Sequence, residues 1–118
     1  MEQQTILIVD DDREIVRVIS KILELEGYKI LKAYDGLEAL DMLVGNVVHL
    51  IMIDIMMPKM NGLAAVMKIR ETNNIPIIIL SAKTEETDKV LGLSMGADDY
   101  ISKPFNTQEM IARVKAQL

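Results

Sequence analysis

The sequence predicts an α/β fold, a single doubly wound domain built on a parallel β-sheet. Two observations support this prediction: short apolar runs alternate with helix-length segments, and about five such runs occur along the 118 residues. Strands that alternate with helices pair in parallel through right-handed crossovers, and the helices then cover both faces of the sheet. Half of the residues are hydrophobic and 26% are charged, which fits one compact domain and argues against disorder or membrane insertion.

The predicted strands are the apolar runs, which end at turn residues or at charged residues. In chain order they begin at Thr5 (TILIVD), Tyr28 (YKILKAY), Val48 (VHLIMID), Ile75 (IPIIILS) and Asp99 (DYIS). A continuous apolar run indicates a strand buried on both faces, so its first charged residue marks the carboxyl end. We therefore expect the acid that ends the third run to lie at an edge of the sheet and not in the core.

The helices between these strands have recognisable starts and stops. Asp35 with Glu38, and Asn106 with Glu109, have the spacing of a capping box at a helix start. Glycines stand where helices should stop: Gly27, Gly45 and Gly96. The sequence contains no linker, internal repeat or low-complexity segment, which predicts one domain over residues 1–118.

Composition and charge exclude several classes of function. The absence of cysteine excludes disulfides, thiolate zinc sites and cysteine nucleophiles. A net charge of -5 argues against nucleic-acid binding by this domain itself. The apolar runs are too short to span a membrane and the start MEQQT lacks signal-peptide features, which predicts a cytoplasmic protein without membrane contact. His49 lies beside the third run, where a structural role is favoured over a catalytic one.

Polar and charged residues follow the predicted strands at their carboxyl ends. They are Asp10, Asp11, Asp12, Asp54, Ser81, Ser102 and Lys103. Ligands of doubly wound sheets bind at this edge. Clustered carboxylates repel one another unless a cation joins them, and Mg²⁺ suits a site that offers a few carboxylates and keeps several waters. The alternative is that the three adjacent acids only cap the helix that follows them.

A metal ion at this edge suggests phosphoryl chemistry. Asp54, which the turn residues Asn61 and Gly62 follow, is a candidate nucleophile toward phosphorus. Lys103 can neutralise phosphoryl charge and the Ser81 hydroxyl can donate to a phosphoryl oxygen, so an aspartyl phosphate is the suggested species. Taken singly, Ser81 could be a turn residue and Lys103 a solvated strand end, so the hypothesis depends on their convergence with Asp54.

Four motifs, in order and in register, carry a resemblance to a known family. They are the acidic pair in IVDDD, Asp54 in IDIMMPKMNG, Ser81 in IIILSA and Lys103 in DDYISKPF. Over essentially its whole length the chain resembles the receiver domain of two-component response regulators. The segments GLSMGADDYISKPF and EMIARVKAQL are similar to the OmpR/PhoB subfamily of winged-helix transcription regulators.

The resemblance implies a fold, a domain organisation and a function. The fold is a flavodoxin-like (βα)5 domain with a parallel five-stranded sheet in the order 2-1-3-4-5. The implied receiver domain covers residues 1–118, and any C-terminal DNA-binding domain is absent from this chain. The implied function is a phosphorylation-activated switch that catalyses its own phosphotransfer and controls a transcription-factor output domain. The alternative is a stand-alone receiver or a phosphorelay protein.

The resemblance also assigns roles at the acidic edge. Asp54 accepts a phosphoryl group from a phosphohistidine on a sensor histidine kinase. Asp11, Asp54 and the Met56 backbone carbonyl bind Mg²⁺, or Mn²⁺ in its place, while Asp10 acts largely through water. In this family the residues at Met56 and Lys83 flank the path of the attacking water. An apolar side chain at Met56 therefore predicts slow self-dephosphorylation.

Activation is expected to move a switch and to expose a dimer face. Ser81 and Lys103 are drawn toward the phosphoryl group and Tyr100 turns inward, although Tyr100 could instead be a half-buried tyrosine of an edge strand. The resemblance implies a cis Lys103–Pro104 bond. The implied homodimer face consists of Lys89, Val90, Leu93, Asp99, Glu109, Ile111 and Arg113. Across it Lys89 would pair with Glu109, and Asp99 with Arg113, unless these charges form only a solvated face.

Two other classes of protein share parts of this pattern. A haloacid-dehalogenase-like phosphatase is suggested by the acidic run that begins at Asp10 and by the later pair Asp98-Asp99. Such enzymes place their lysine before the second acidic pair, whereas Lys103 follows it. A flavodoxin-like electron carrier is disfavoured because only 3% of the residues are aromatic, which leaves little to stack on a flavin.

Overall fold

Strands and helices alternate along the chain in the order that the sequence predicts. The structure is a computed structural model that describes residues 3–57, 61–82, 90 and 92–118. The strands are β1 (Thr5–Val9), β2 (Lys29–Ala33), β3 (Leu50–Asp54), β4 (Ile77–Ala82) and β5 (Asp99–Lys103). The helices are α1 (Arg13–Leu25), α2 (Gly36–Gly45), α3 (Gly62–Arg70) and α4 (Thr107–Gln117). Residues 90 and 92–94, between β4 and β5, are also helical.

The five strands form one parallel sheet in the order β2-β1-β3-β4-β5, which confirms the predicted fold class. Because strand side chains alternate between the two faces, neighbouring residues belong to different cores. Leu7 packs under α2 and α3, whereas Ile8 packs under α1 and α4. β1 and β3 are buried at every position, as their uninterrupted apolar sequences predict. Because all neighbouring strands are parallel, their carboxyl ends lie along one edge of the sheet.

Side-chain caps start the helices where the sequence places them. Asp35 Oδ1 accepts from the backbone N–H of Glu38 at 2.9 Å, and Asn106 Oδ1 accepts from that of Glu109 at 2.9 Å. The Glu38 carboxylate returns to the N–H of Tyr34, one residue earlier than a capping box requires. Two of the predicted stops, Gly27 and Gly96, have positive φ angles of 96° and 118°. The third, Gly45, is the last residue of α2.

Asp12 is the residue of the acidic run that caps a helix. Its carboxylate caps α1 by accepting from the N–H groups of Glu14 at 3.0 Å and Ile15 at 3.3 Å. The capping interpretation is therefore correct for Asp12. Asp10 and Asp11 precede the cap and lie where β1 meets the edge of the sheet.

Charges at the amino edge of the sheet are closely paired. Arg70, at the end of α3, donates from Nε to the Gly96 carbonyl at 2.9 Å and from Nη1 to the Ile75 carbonyl at 2.7 Å. Its Nη2 lies 2.8 Å from Asp98 Oδ2, which also accepts from the Ile77 N–H at 2.8 Å. One guanidinium thereby joins α3 to the starts of β4 and β5.

His49 lies at the same amino edge and has a structural contact, as predicted. The imidazole Nδ1 of His49 accepts from the backbone N–H of Thr5 at 2.9 Å. The backbone N–H of His49 donates to the Thr5 carbonyl at 2.8 Å. The imidazole therefore extends the pairing of β3 with β1. Across the part of the chain that the structure describes, every helix is too short or too polar to cross a membrane.

Candidate functional site

The carboxyl edge of the sheet brings together three residues that are far apart in sequence. Asp10 follows β1, Asp54 ends β3 and Lys103 ends β5, and parallel strands direct all three ends to one edge. Asp54 lies at the edge, as predicted, yet it is 6% exposed and Asp10 is fully buried. Buried carboxylates require a partner, because an unpaired charge in a protein interior is costly.

Lys103 is that partner for both acids. Its Nζ lies 2.7 Å from Asp10 Oδ2 and 3.2 Å from Asp54 Oδ2. The other oxygen of each carboxylate accepts a backbone N–H: Asp10 Oδ1 from Asp12 at 3.0 Å, and Asp54 Oδ1 from Met56 at 3.3 Å. Both acids are thus held in place, and among the described residues one ammonium is shared by the two carboxylates.

The excess of negative charge is visible in the pKa of Asp54. Burial and the neighbouring Asp10 carboxylate raise the pKa of Asp54 to about 6, against the opposing effects of Lys103 and the Met56 N–H. Burial lowers the pKa of Lys103, but its contacts with Asp10 and Asp54 outweigh burial and the pKa is raised. The site therefore holds a firmly charged lysine between acids that would accept further positive charge.

The donor set fits a hard divalent cation. One carboxylate oxygen from each of Asp10, Asp11 and Asp54 lies within 4.8 Å of the others. Asp11 is exposed while the other two are buried, so the cluster opens to solvent on one side. Mg²⁺ prefers a few carboxylate oxygens and retains several waters, and this cluster offers both. The three predicted metal-binding carboxylates are therefore brought together.

The remaining predicted site residues lie at or beside this edge. Ser81 is fully buried near the end of β4, and its hydroxyl donates to the Ala82 carbonyl at 3.3 Å. In the pairing of β4 with β5, Ala82 is the partner of Lys103, so Ser81 lies one residue before the position beside the lysine. Met56 is 57% exposed and contacts Asp54 through its backbone N–H. The Lys103–Pro104 peptide bond is cis, as the resemblance implied.

The predicted switch and dimer residues lie on and around β5. Tyr100 is half-buried, packs against the core under α2 and α3, and has its ring centroid 5.7 Å from Arg113 Cζ. Arg113 Nη1 donates to both oxygens of Asp99, at 2.8 and 3.0 Å. The pair that the resemblance assigned to a dimer therefore forms within one chain.

The other members of the predicted dimer face are distributed between surface and core. Val90 is 59% exposed and Leu93 is 37% exposed, while Ile111 is half-buried. Glu109 Oε1 lies 3.8 Å from Arg113 Nε. Lys89 lies outside the described residues, as does Lys83, which the resemblance assigns to the path of the attacking water.

Gly62 is a site residue that the sequence analysis treated only as a turn residue. A Cβ atom at this position would lie 2.1 Å from the Asp54 carbonyl oxygen and 2.7 Å from Ile55 Cα. The Gly62 N–H donates to the Ile55 carbonyl at 2.8 Å, and Asn61 caps α3. Glycine is therefore required for α3 to begin directly against the backbone of the candidate phosphoacceptor. The Asn-Gly pair was the available signal, but it does not reveal what the glycine approaches.

Sequence comparisons identify the family of the chain. Residues 6–115 match the family model described as the response regulator receiver domain. The transcriptional regulatory protein CpxR of Escherichia coli is 47% identical over 113 residues, which cover 96% of this chain and 48% of that protein. Response regulator GtcR of Aneurinibacillus migulanus is 48% identical over 115 residues, which cover 98% of this chain and 48% of that protein. The chain spans about half the length of these curated relatives.

Solved structures agree as well. A putative response regulator from Chloroflexus aurantiacus superposes with a TM-score of 0.94 at 33% identity, covering 98% of both chains. The receiver domain of the Francisella response regulator 1452 superposes with a TM-score of 0.90 at 39% identity, covering 98% of this chain and 96% of that one. The fold, the acidic edge and these relatives agree, and the chain belongs to the response regulator receiver domain family of two-component systems.

Proposed function

We propose that this chain is a phosphorylation-activated switch in which Asp54 takes a phosphoryl group from a phosphohistidine on a sensor histidine kinase. The observation that carries the proposal is the single Lys103 ammonium shared between two buried carboxylates, Asp10 and Asp54. Such an arrangement is destabilising unless positive charge or a charged ligand completes it, which is typical of a functional site.

The chemistry follows from the position and protonation of Asp54. With a pKa of about 6, its carboxylate is mostly ionised at neutral pH and can attack phosphorus. A P–O bond forms, the P–N bond to histidine breaks, and the released imidazole nitrogen takes up a proton. Lys103, already 3.2 Å from Asp54 Oδ2, is placed to neutralise charge on the transferred group.

Asp10, Asp11 and Asp54, with the Met56 backbone carbonyl, are the groups that would hold Mg²⁺ or Mn²⁺. When bound, the ion supplies positive charge that offsets repulsion between the carboxylates and the incoming phosphoryl oxygens. Asp10, fully buried and fixed by Lys103 and the Asp12 N–H, orients the remaining ligands.

Phosphorylation would redirect Lys103 and Ser81 toward the new phosphoryl oxygens and shift Tyr100, biasing the chain toward an active form. We place the output in a homodimer formed by the face defined above, which contains the exposed Val90 and Leu93. CpxR is named a transcriptional regulatory protein and is about twice as long as this chain, which supports a DNA-binding output domain beyond this receiver. We propose that the switch acts in the cytoplasm, as the sequence predicts.

The direct test is intact mass after incubation with Mg²⁺ and a small phosphoryl donor. The parent should gain one hydroxylamine-labile phosphoryl group, and Asp54→Asn should gain none. Asp41→Asn, an exposed acid of α2, is the matched control and should behave as the parent. A parent that gains no mass would refute the proposal, and repeated donor turnover that requires Asp10 would indicate a phosphatase instead.

The lifetime of the phosphoryl group is the second testable property. The Met56 side chain is apolar and 57% exposed beside Asp54, so it provides no strong acceptor to orient an attacking water. We expect slow self-dephosphorylation in the parent, and faster loss in Met56→Asn because an amide can hold a water. Phosphoryl loss is followed by intact mass after donor removal. Equal half-lives for the two proteins would contradict the assignment.

A further inference from the structure

Methionines divide sharply by exposure in this chain. Of nine methionines, those that the structure describes are buried or half-buried except for Met56 and Met67, which are 57% and 54% exposed. Met52 and Met110 are fully buried in the core under α1 and α4. Peroxides oxidise accessible thioethers in preference to buried ones, so two described methionines are open to modification.

Of these two, Met56 is next to the phosphoacceptor. Its backbone N–H donates to Asp54 Oδ1 at 3.3 Å, which fixes its Cα beside the carboxylate while the side chain meets solvent. Met67 lies within α3, between Val66 and Lys68, and serves as an internal comparison of equal exposure. A chemical change at Met56 would therefore reach the phosphoryl site, whereas the same change at Met67 would act from the middle of a helix.

We infer that Met56 is an oxidation site through which hydroperoxides shorten the life of the phosphoryl group on Asp54. The inference rests on the proposed function and adds a regulatory input to it. In the modification, the Met56 sulfur attacks one peroxide oxygen, an S–O bond forms and the O–O bond breaks. The sulfur loses two electrons and the peroxide gains them. The transferred oxygen gives up its proton to leave the sulfoxide, and that proton converts the departing hydroxide to water or the departing alkoxide to an alcohol.

The effect follows from the hydrogen-bonding capacity of the two forms. A thioether is a weak acceptor, whereas a sulfoxide oxygen is a strong one. A sulfoxide at the solvent-facing rim beside Asp54 holds a water near the phosphorus atom and presents a lone pair to one of its protons. Positioning a reactant in this way raises a hydrolysis rate, and we expect an effect on the order of tenfold.

The experiment uses the phosphorylated chain with and without hydrogen peroxide, followed by removal of the oxidant. Peptide fragment ions separate oxidation at Met56 from oxidation at Met57, Met60 and Met67. Phosphoryl half-life is then measured by intact mass for the parent, Met56→Leu and Met67→Leu, each compared with itself before and after peroxide. Methionine sulfoxide reductases A and B, added last, test reversal.

The expected result is oxidation at Met56 with a roughly tenfold shorter phosphoryl half-life in the parent and in Met67→Leu. Peroxide should leave the half-life of Met56→Leu unchanged, and the reductases should restore the longer half-life of the parent. Met56→Gln, which carries an amide oxygen without oxidant, should have a shortened half-life from the start.

Two results would overturn the inference while leaving the proposed function intact. One is an oxidised Met56 with an unchanged half-life, and the other is a Met56→Leu variant that responds to peroxide as the parent does. An unoxidised parent that takes up no phosphoryl group would refute the proposed function and this inference with it.

Discussion

The two edges of the sheet differ in how their charged side chains are paired. At the amino edge, Arg70 uses Nε, Nη1 and Nη2 on the carbonyls of Gly96 and Ile75 and on the Asp98 carboxylate. At the carboxyl edge, one ammonium, Lys103, faces two buried carboxylates, and the pKa of Asp54 is raised to about 6. Among the described residues, Arg70 and Asp98 pair one to one at the amino edge, whereas two buried carboxylates share one ammonium at the carboxyl edge and favour further positive charge or a charged ligand.

The difference indicates where this fold uses charge for stability and where it uses charge for function. A guanidinium that makes four hydrogen bonds holds three chain segments in one geometry. Acids crowded around one lysine reduce stability but bind and react with ligands that neutralise them. Substitutions at the two edges should therefore shift the free energy of unfolding in opposite directions.

The largest effect is expected at the amino edge. Arg70→Ala should lower the free energy of unfolding by about 2 to 4 kcal/mol, because it removes the charge-assisted hydrogen bond to Asp98 and the guanidinium donors of three carbonyls. Urea denaturation measures the change. The control is Arg17→Ala, which breaks an exposed pair with Glu14 within α1 and should cost far less. Equal losses of stability in the two variants would show that the Arg70 hydrogen bonds contribute no more than a surface ion pair does.

A smaller effect is expected where α3 meets the backbone of Asp54. Gly62→Ala places a methyl group 2.1 Å from the Asp54 carbonyl oxygen, so the backbone must shift at a cost of about 1 to 3 kcal/mol. Gly45→Ala is the matched control, since a Cβ there has no heavy atom within 4 Å and glycine is unfavourable inside a helix. Denaturation should show a loss for Gly62→Ala and none for Gly45→Ala. Phosphoryl uptake by Gly62→Ala at the parental rate would show that the position of the Asp54 backbone is not critical.

The smallest expected effect is a pH-dependent change in stability at the carboxyl edge. Because folding raises the pKa of Asp54 from 3.8 to about 6, the folded chain retains a proton that the unfolded chain has released over this interval. Asp54 thus favours folding less as pH rises through about 4 to 6, and above that range its ionised form destabilises the metal-free folded chain. Asp54→Asn should therefore be more stable than the parent at about pH 8 and should lose this advantage at about pH 4.

Denaturation of the parent and of Asp54→Asn in metal-free buffer measures the difference in their free energies of unfolding. Taking this difference at each pH cancels the contributions of titratable groups that both proteins contain. Added Mg²⁺ should narrow the gap at high pH, because it stabilises the parent by binding the folded state. An Asp54→Asn variant that is less stable than the parent at high pH would mean that the Lys103 pair outweighs burial and the repulsion from Asp10.

The sequence made the location of the site predictable for a topological reason. Once the apolar runs are read as parallel strands, Asp10, Asp54 and Lys103 must share an edge, because each follows or ends a run at its carboxyl end. The strand order could be predicted only from the family resemblance, because the alternation of strands and helices along the chain does not determine which strands are adjacent in the sheet. The caps at Asp35 and Asn106 were also predictable, because capping depends on residues only three positions apart.

By itself, then, the sequence determined the class of fold, the edge that carries the site and the acids and lysine at that edge, because periodicity and strand direction are local properties. Only the tertiary structure decided how Arg70 reaches residues 26 and 28 positions away, why Gly62 cannot carry a side chain, and which acid of the IVDDD run caps α1. It also decided that Asp99 pairs with Arg113 inside one chain. These features depend on distances between segments that meet only after the sheet has formed, and no spacing in the sequence encodes those distances.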